Sequence, residues 1–293
     1  MLSGRHSAVG PSGPCLDCEP VVFYCQQHRG ATVDAGSKIE LAGLSDLHGV
    51  TPVPRGRQHS AVRSVVLHLL PGALITAFYV GVAPVVRAFG FPSLMALYLA
   101  IVIVLIPFEL GYLFSRARTE GVSLATVVRY REPVPRVEFV ALVLVAVIWA
   151  SLVAMLLFPP LDEFFIDTFF FWLPDWFFMT EDFAQYSATA LLVTWMFGLL
   201  VNGIAGPVVE ELYFRGYLLP RIARLGGWAP VVNTVLFSLY HFFTPWANIG
   251  RIVALLPMVS VTWWKRNVYL GMAVHVLWNI GSMLLLLPIL LGS

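Results

Sequence analysis

Charge is what this sequence has least of. Only 12% of its 293 residues are charged, 58% are hydrophobic, and the mean hydropathy is +0.80. A soluble domain carries about 25% charged residues, so this chain has too little charge to coat a soluble surface. Cysteine is nearly absent. Cys15, Cys18 and Cys25 are the only three, and none falls in the hydrophobic part, where a thiol nucleophile would have to sit. No H-E-x-x-H occurs, so the common zinc-protease signature is missing. The first 60 residues lack the apolar core of a signal peptide. A net charge of +1 points to no charged partner, and no nucleic acid is expected as one.

Long apolar runs are what is there. Several exceed 18 residues, the length that crosses a bilayer. They lie near 64–86, 91–115, 139–161, 187–205, 228–243, 252–264 and 268–291. The expected fold is therefore all-α, a transmembrane helical bundle of about seven spans, with six to eight as the range because the fifth and sixth are short. Residues 1–60 are rich in Gly, Pro and Ser and show no apolar period. They read as a disordered cytoplasmic tail, leaving 61–293 as the membrane domain and about 187–291 as its motif-bearing core. Cys15, Cys18, Cys25 and His28 have the ligand types of a zinc knuckle, but their middle gap is short for one.

Arginines and lysines collect before the first span, after the second and fourth, and after the sixth. One orientation puts all four clusters on the cytoplasmic side, together with the amino terminus. The segment 162–182 holds six acids and no Lys or Arg, so it faces the other way. Its aromatic run, FFFWLPDWFF, suits an interfacial belt or a re-entrant lid.

Ionisable residues inside spans are costly and normally face one another or a cavity. Here they are Glu109, Glu210, Glu211, Arg215, His241 and His275, with Asn202, Asn233 and Asn279 as polar company. His68 lies near the start of the first span, within reach of the interface. Glu109 fits either the same cavity or a snorkelling side chain. In the stretch GPVVEELYFRG, Pro207 suits a first helical turn. Glu211 and Arg215 are four apart and share a face. Glu210 is turned about 100° from Glu211, so one carboxylate is neutralised while the other stays free for chemistry. His241 shares a face with Phe237, and His275 with Asn279. Ser238 points away from His241.

EELYFR, FSLYH and HVLWN, in that order, resemble the E-E-x-x-x-R, F-x-x-x-H and H-x-x-x-N/D motifs of the CAAX-processing and bacteriocin-processing (CPBP, or Abi) intramembrane proteases. The resemblance covers about 187–291. It implies an endopeptidase acting on a membrane-associated protein substrate, with or without a lipid modification, within the bilayer. It also implies that Glu210 is the general base on water, that His241 orients that water, and that His275 and Asn279 hold the oxyanion. Glu211 and Arg215 then form a supporting pair. No cofactor is expected on this reading. By ligand type, Glu210, His241 and His275 would alternatively suit a His2Glu zinc site. Two further readings remain: a non-catalytic immunity or scaffold protein of the same family, and a proton-coupled transporter. The amino terminus and the opening of the site are both expected on the cytoplasmic side of a cell membrane. That placement rests on the arginine clusters and on the closeness of Glu210 to Arg215 in sequence.

Overall fold

The computed structural model describes residues 58–179 and 181–291. The cysteine-bearing tail, with its expected disorder and its knuckle pattern, lies outside them. Eight helices carry the described part: α1 (Ala61–Ala88), α2 (Leu94–Glu120), α3 (Arg136–Leu156), α4 (Phe158–Phe165), α5 (Ala188–Leu225), α6 (Trp228–Tyr240), α7 (Asn248–Lys265) and α8 (Val268–Leu291). Short turns of helix fill the links. Among the described residues there is no strand, only one isolated bridge between Arg131 and Asn267. The expected all-α fold is therefore observed.

Local chemistry marks the helix ends. Ser60 caps α1 by accepting a hydrogen bond from the Arg63 backbone at 3.2 Å, and Ser187 caps α5 through Ala190 at 3.1 Å. Both satisfy a donor that a helix leaves unpaired. Gly121 ends α2 at φ 65°, a left-handed conformation that glycine adopts without a steric penalty.

Five helices, α1, α2, α3, α5 and α8, are long and apolar enough to cross a membrane. This is a membrane protein. Much of its apolar surface points outward: Val137, Leu144, Val145, Leu156 and Leu285 are all more than half exposed, as lipid-facing residues are. The two short expected spans are α6 and α7. The fourth expected span does not stop at Ala205 but continues as one helical run to Leu225. That run widens to π geometry at Val201–Ala205 and again at Glu211–Leu218. Pro207, with no N–H, sits between the two segments and cannot complete the ladder. The first glutamate motif thus lies in a distorted helix, as functional positions often do.

The bundle has two chemically distinct ends. At one, the His59 N–H donates to Arg221 O at 2.9 Å, Arg129 N–H to Gly216 O at 2.8 Å, and Val268 N–H to Tyr130 O at 2.6 Å. This is where the described members of the expected arginine clusters gather. Lys265 and Arg266 pair there with Glu138 and Glu132. At the other end Arg87 pairs with Glu181 at 3.0 Å. Tyr79 donates to Trp176 O at 2.8 Å. Phe170, Phe177 and Phe178 pack around Trp246. The aromatic segment therefore caps this second, acidic end, with Phe171 and Trp172 left exposed at its edge.

Two contacts hold the motif helices together. A Cβ on Gly72 would collide with the carbonyl of Tyr240, so α1 and α6 touch backbone to backbone where the second motif ends. His68 is fully buried, not interfacial. Its ring lies 2.7 Å from Ser64 O and 3.0 Å from Asn233 Nδ2. Asn233 also donates to Phe214 O at 3.1 Å. His68 and Asn233 therefore tie α1, α5 and α6 together away from the site.

Candidate active site

Glu210 and Glu211 part company as helical geometry requires. Glu211 is fully buried and does not line the cavity described below; Glu210 does. Glu211 Oε1 lies 3.0 Å from Arg215 Nη1. The same oxygen lies 3.0 Å from His275 Nδ1, a contact between residues 64 apart in sequence. The Glu211–Arg215 pair expected from spacing is present, but it does more than neutralise a charge. It orients the histidine of the third motif.

The arginine does not fork onto the carboxylate. One nitrogen makes the close approach, and the guanidinium carbon lies over the Phe237 ring, 4.0 Å from its centroid. Ion pairing and a cation–π contact together hold this buried charge. The second Glu211 oxygen lies against Gly271. A Cβ there would overlap it, and would also approach Thr262 Oγ1 within 3.1 Å.

His275 Nε2 points toward Glu210, 3.8 Å from its Oε2. An ionised carboxylate only accepts hydrogen bonds, so His275 Nδ1 must carry the hydrogen that faces Glu211. His241 ends α6 and is not part of its regular spiral, at φ −80° and ψ 58°. Its Nδ1 lies 2.9 Å from Phe237 O. A carbonyl also only accepts, so Nδ1–H donates and a neutral ring keeps the Nε2 lone pair free. Asn279 donates through Nδ2 to Asn202 O at 2.8 Å. That carbonyl belongs to the π segment above Pro207, so the distorted turn has a side-chain partner.

Glu210, His241, His275 and Asn279 all line one cavity of about 220 Å³. The sequence motifs, carried by three different helices, converge as expected. Ser238 lies elsewhere, donating to Asn248 O at 2.9 Å. Two lining residues carry chemistry that motif reasoning missed, Tyr240 and Arg251. The Tyr240 hydroxyl is buried beside Glu210 without a well-formed hydrogen bond. A tyrosine next to the motif histidine was visible as a signal. Arg251, one residue before an expected span, was the stronger one.

Glu109 neither lines the cavity nor snorkels. It is fully buried on α2, behind the motif helix, and neither carboxyl oxygen has a hydrogen-bond partner. Among the described residues, no three His, Cys, Asp or Glu side chains come together as a metal site requires. In particular, Glu210, His241 and His275 do not form a three-ligand set as they stand.

The position of the cavity separates two expectations that had gone together. Its lining includes Phe158, Phe243, Thr244 and Arg251, which stand at the acidic, aromatic-capped end. None of the lining residues comes from the loops of the arginine end. The cavity and the arginine clusters therefore lie toward opposite ends of the bundle.

Residues 192–281, the stretch that holds all three motifs, match the family model for type II CAAX prenyl endopeptidase Rce1-like proteins. This segment is similar to the Rce1-like domain. The match covers under a third of the chain, from near the start of α5 to the second half of α8. No curated protein and no solved structure matches. The activity class of the Rce1-like family is CAAX-type intramembrane proteolysis, on protein substrates associated with the bilayer.

Proposed function

We propose that this chain is a glutamate-type intramembrane endopeptidase in which Glu210 is the general base. One observation carries the reading. The glutamate turned away from Arg215, both motif histidines and the motif asparagine share one cavity, while Glu211 and Arg215 stand behind them.

Peptide hydrolysis needs a base for water and donors for the oxyanion. A water between Glu210 and His241 Nε2 would donate one hydrogen to each and turn a lone pair toward the scissile carbonyl. As the C–O bond forms, Glu210 takes the proton. It then passes that proton to the leaving amine as the C–N bond breaks. His275 Nε2 and Asn279 Nδ2 donate to the oxyanion. His275 can do so only as an imidazolium, because its Nδ1 hydrogen already faces Glu211. The Glu211 carboxylate is placed to stabilise that cation and to aim the ring. Asn279 spends one amide hydrogen on Asn202 O, which fixes the group and leaves the other for the oxyanion. The Tyr240 hydroxyl flanks Glu210 and would hold its carboxylate in place.

Charge supports an orientation with the arginine end and the amino terminus in the cytoplasm of a cell membrane. The cavity is then reached from the opposite leaflet, which reverses the expectation of a cytoplasmic opening. The substrate is a membrane-associated polypeptide. The experiment is a comparison of protein termini in membranes from cells carrying wild-type or Glu210→Gln protein. Termini that appear only with the wild type support the reading. Identical sets of termini sink it.

A further inference from the structure

Arg251 stands in the first turn of α7, is nine-tenths buried, and lines the same cavity as Glu210, His241 and His275. Its partners are all neutral. Nη1 donates to Asn248 Oδ1 at 3.1 Å and to Ser238 O at 3.3 Å, and Nη2 donates to Thr244 Oγ1 at 2.7 Å. These three bonds occupy three of the five guanidinium N–H groups. The Nε–H and one Nη2–H remain to meet a further acceptor such as a carboxylate.

Other buried arginines of this protein have an acid at hand. Arg215 has Glu211 at 3.0 Å and Arg221 has Glu120 at 3.8 Å. Among the described residues, no carboxylate comes within ion-pair distance of Arg251. Asp162 on α4 is near enough to be felt electrostatically, yet it makes no pair, and its own Oδ1 is buried without a partner. A buried charge without a counter-charge is costly. This one faces the space where a substrate has to lie.

We infer that Arg251 receives the free α-carboxylate at the carboxyl terminus of the substrate. The inference rests on the protease reading of the cavity. A substrate of the C-a-a-X type ends three residues beyond its modified cysteine. Three extended residues span about 10 Å, so the terminal carboxylate travels into the cavity with the leaving tripeptide. It is the one anion that every such substrate carries, whatever its side chains. Arg251 is thus a specificity residue, measuring how far the cut lies from the chain end.

The test uses the purified full chain in detergent micelles. The probes are two peptides ending in farnesyl-cysteine and three uncharged residues, one with a free carboxyl terminus and one amidated. Wild-type kcat/KM should favour the free acid by about tenfold to a hundredfold, as for one charge-assisted bond. In Arg251→Gln that ratio should collapse toward one. Arg251→Lys should keep part of it. A merely structural arginine, tying α6 to α7, would slow both peptides equally and leave the ratio intact. A ratio near one in the wild type, or an undiminished ratio in Arg251→Gln, overturns the inference while leaving the protease reading standing. A wild type that cleaves neither peptide overturns both. If Arg251→Gln does not fold, the released tripeptide gives a second measure on wild-type protein. The free acid should inhibit at least tenfold better than the amide, and equal inhibition overturns the assignment.

Discussion

Glu211→Gln isolates the part of the site that holds charge without touching the cavity. Glu211 is fully buried, and one of its oxygens serves both Arg215 and His275 at 3.0 Å. The glutamine keeps the shape and removes the charge. Arg215 is then a buried guanidinium with only the Phe237 face for company. Breaking a buried pair from one side costs about 3–5 kcal/mol, a large share of the roughly 5–15 kcal/mol that holds a typical domain folded. Replacing both charges should be far milder, because the desolvation cost goes with them. Arg215→Met combined with Glu211→Gln should therefore recover most of the lost stability. It should recover no activity, because His275 still lacks the carboxylate that supports its imidazolium. Denaturant unfolding in detergent, run beside peptide cleavage, reads both quantities. A Glu211→Gln protein within about 0.5 kcal/mol of wild type, the size of an ordinary surface substitution, would refute the argument. So would a double variant less stable than the single one.

Arg215→Lys should lose most activity. An ammonium cannot cover the Phe237 ring while also reaching Glu211, and full activity with unchanged thermal stability would mean that only the positive charge matters. Gly271→Ala should cut activity by about tenfold or more, a barrier change near 1.4 kcal/mol, because its methyl displaces Glu211 and with it His275. Unaltered kcat would show that the carboxylate moves aside freely. His59, outside the spans, has its pKa pushed down to about 4 by burial and then by Arg63 and Arg221. The unfolded chain takes up that proton first, so this contribution to stability is complete above pH 6.5 and is lost as pH falls toward 4. A His59→Gln protein should lose less stability over that window, and an equal loss would reject the assignment. Single cysteines in a variant without Cys15, Cys18 and Cys25 test the orientation. One placed in 221–224 should resist an impermeant thiol reagent on intact cells and one in 162–182 should react; the reverse pattern inverts the topology.

Much of the site was legible because the i, i+4 rule survives real helices. Glu211 met Arg215, and Glu210 turned toward the cavity, even though the helix there is widened to π geometry. His275 and Asn279 likewise came out on one face. What stayed hidden depends on contacts distant in sequence, which no local period encodes. The Glu211–His275 bond joins residues 64 apart, and the Asn279–Asn202 bond joins residues 77 apart. Gly271 matters only because Glu211 lies against it. Arg251 stands one residue before the expected span 252–264, and only the start of α7 at Asn248 brings it into the cavity. The cavity's place in the bundle was hidden for a similar reason. Closeness to Arg215 along the chain suggested an opening at the arginine end, whereas the residues that complete the lining come from α4, the loop after α6, and the start of α7.

The central claim is that Glu210 activates water, and its most direct test is cleavage of the farnesylated free-acid peptide by purified, chelator-treated wild-type and Glu210→Gln protein. Loss of a general base costs about 10²–10⁴-fold in rate. The account predicts a loss of that size in a variant that unfolds at the wild-type denaturant concentration, together with a wild-type rate that chelation leaves unchanged. A Glu210→Gln protein cleaving at the wild-type rate would contradict it. So would wild-type activity that disappears on chelation and returns with Zn²⁺.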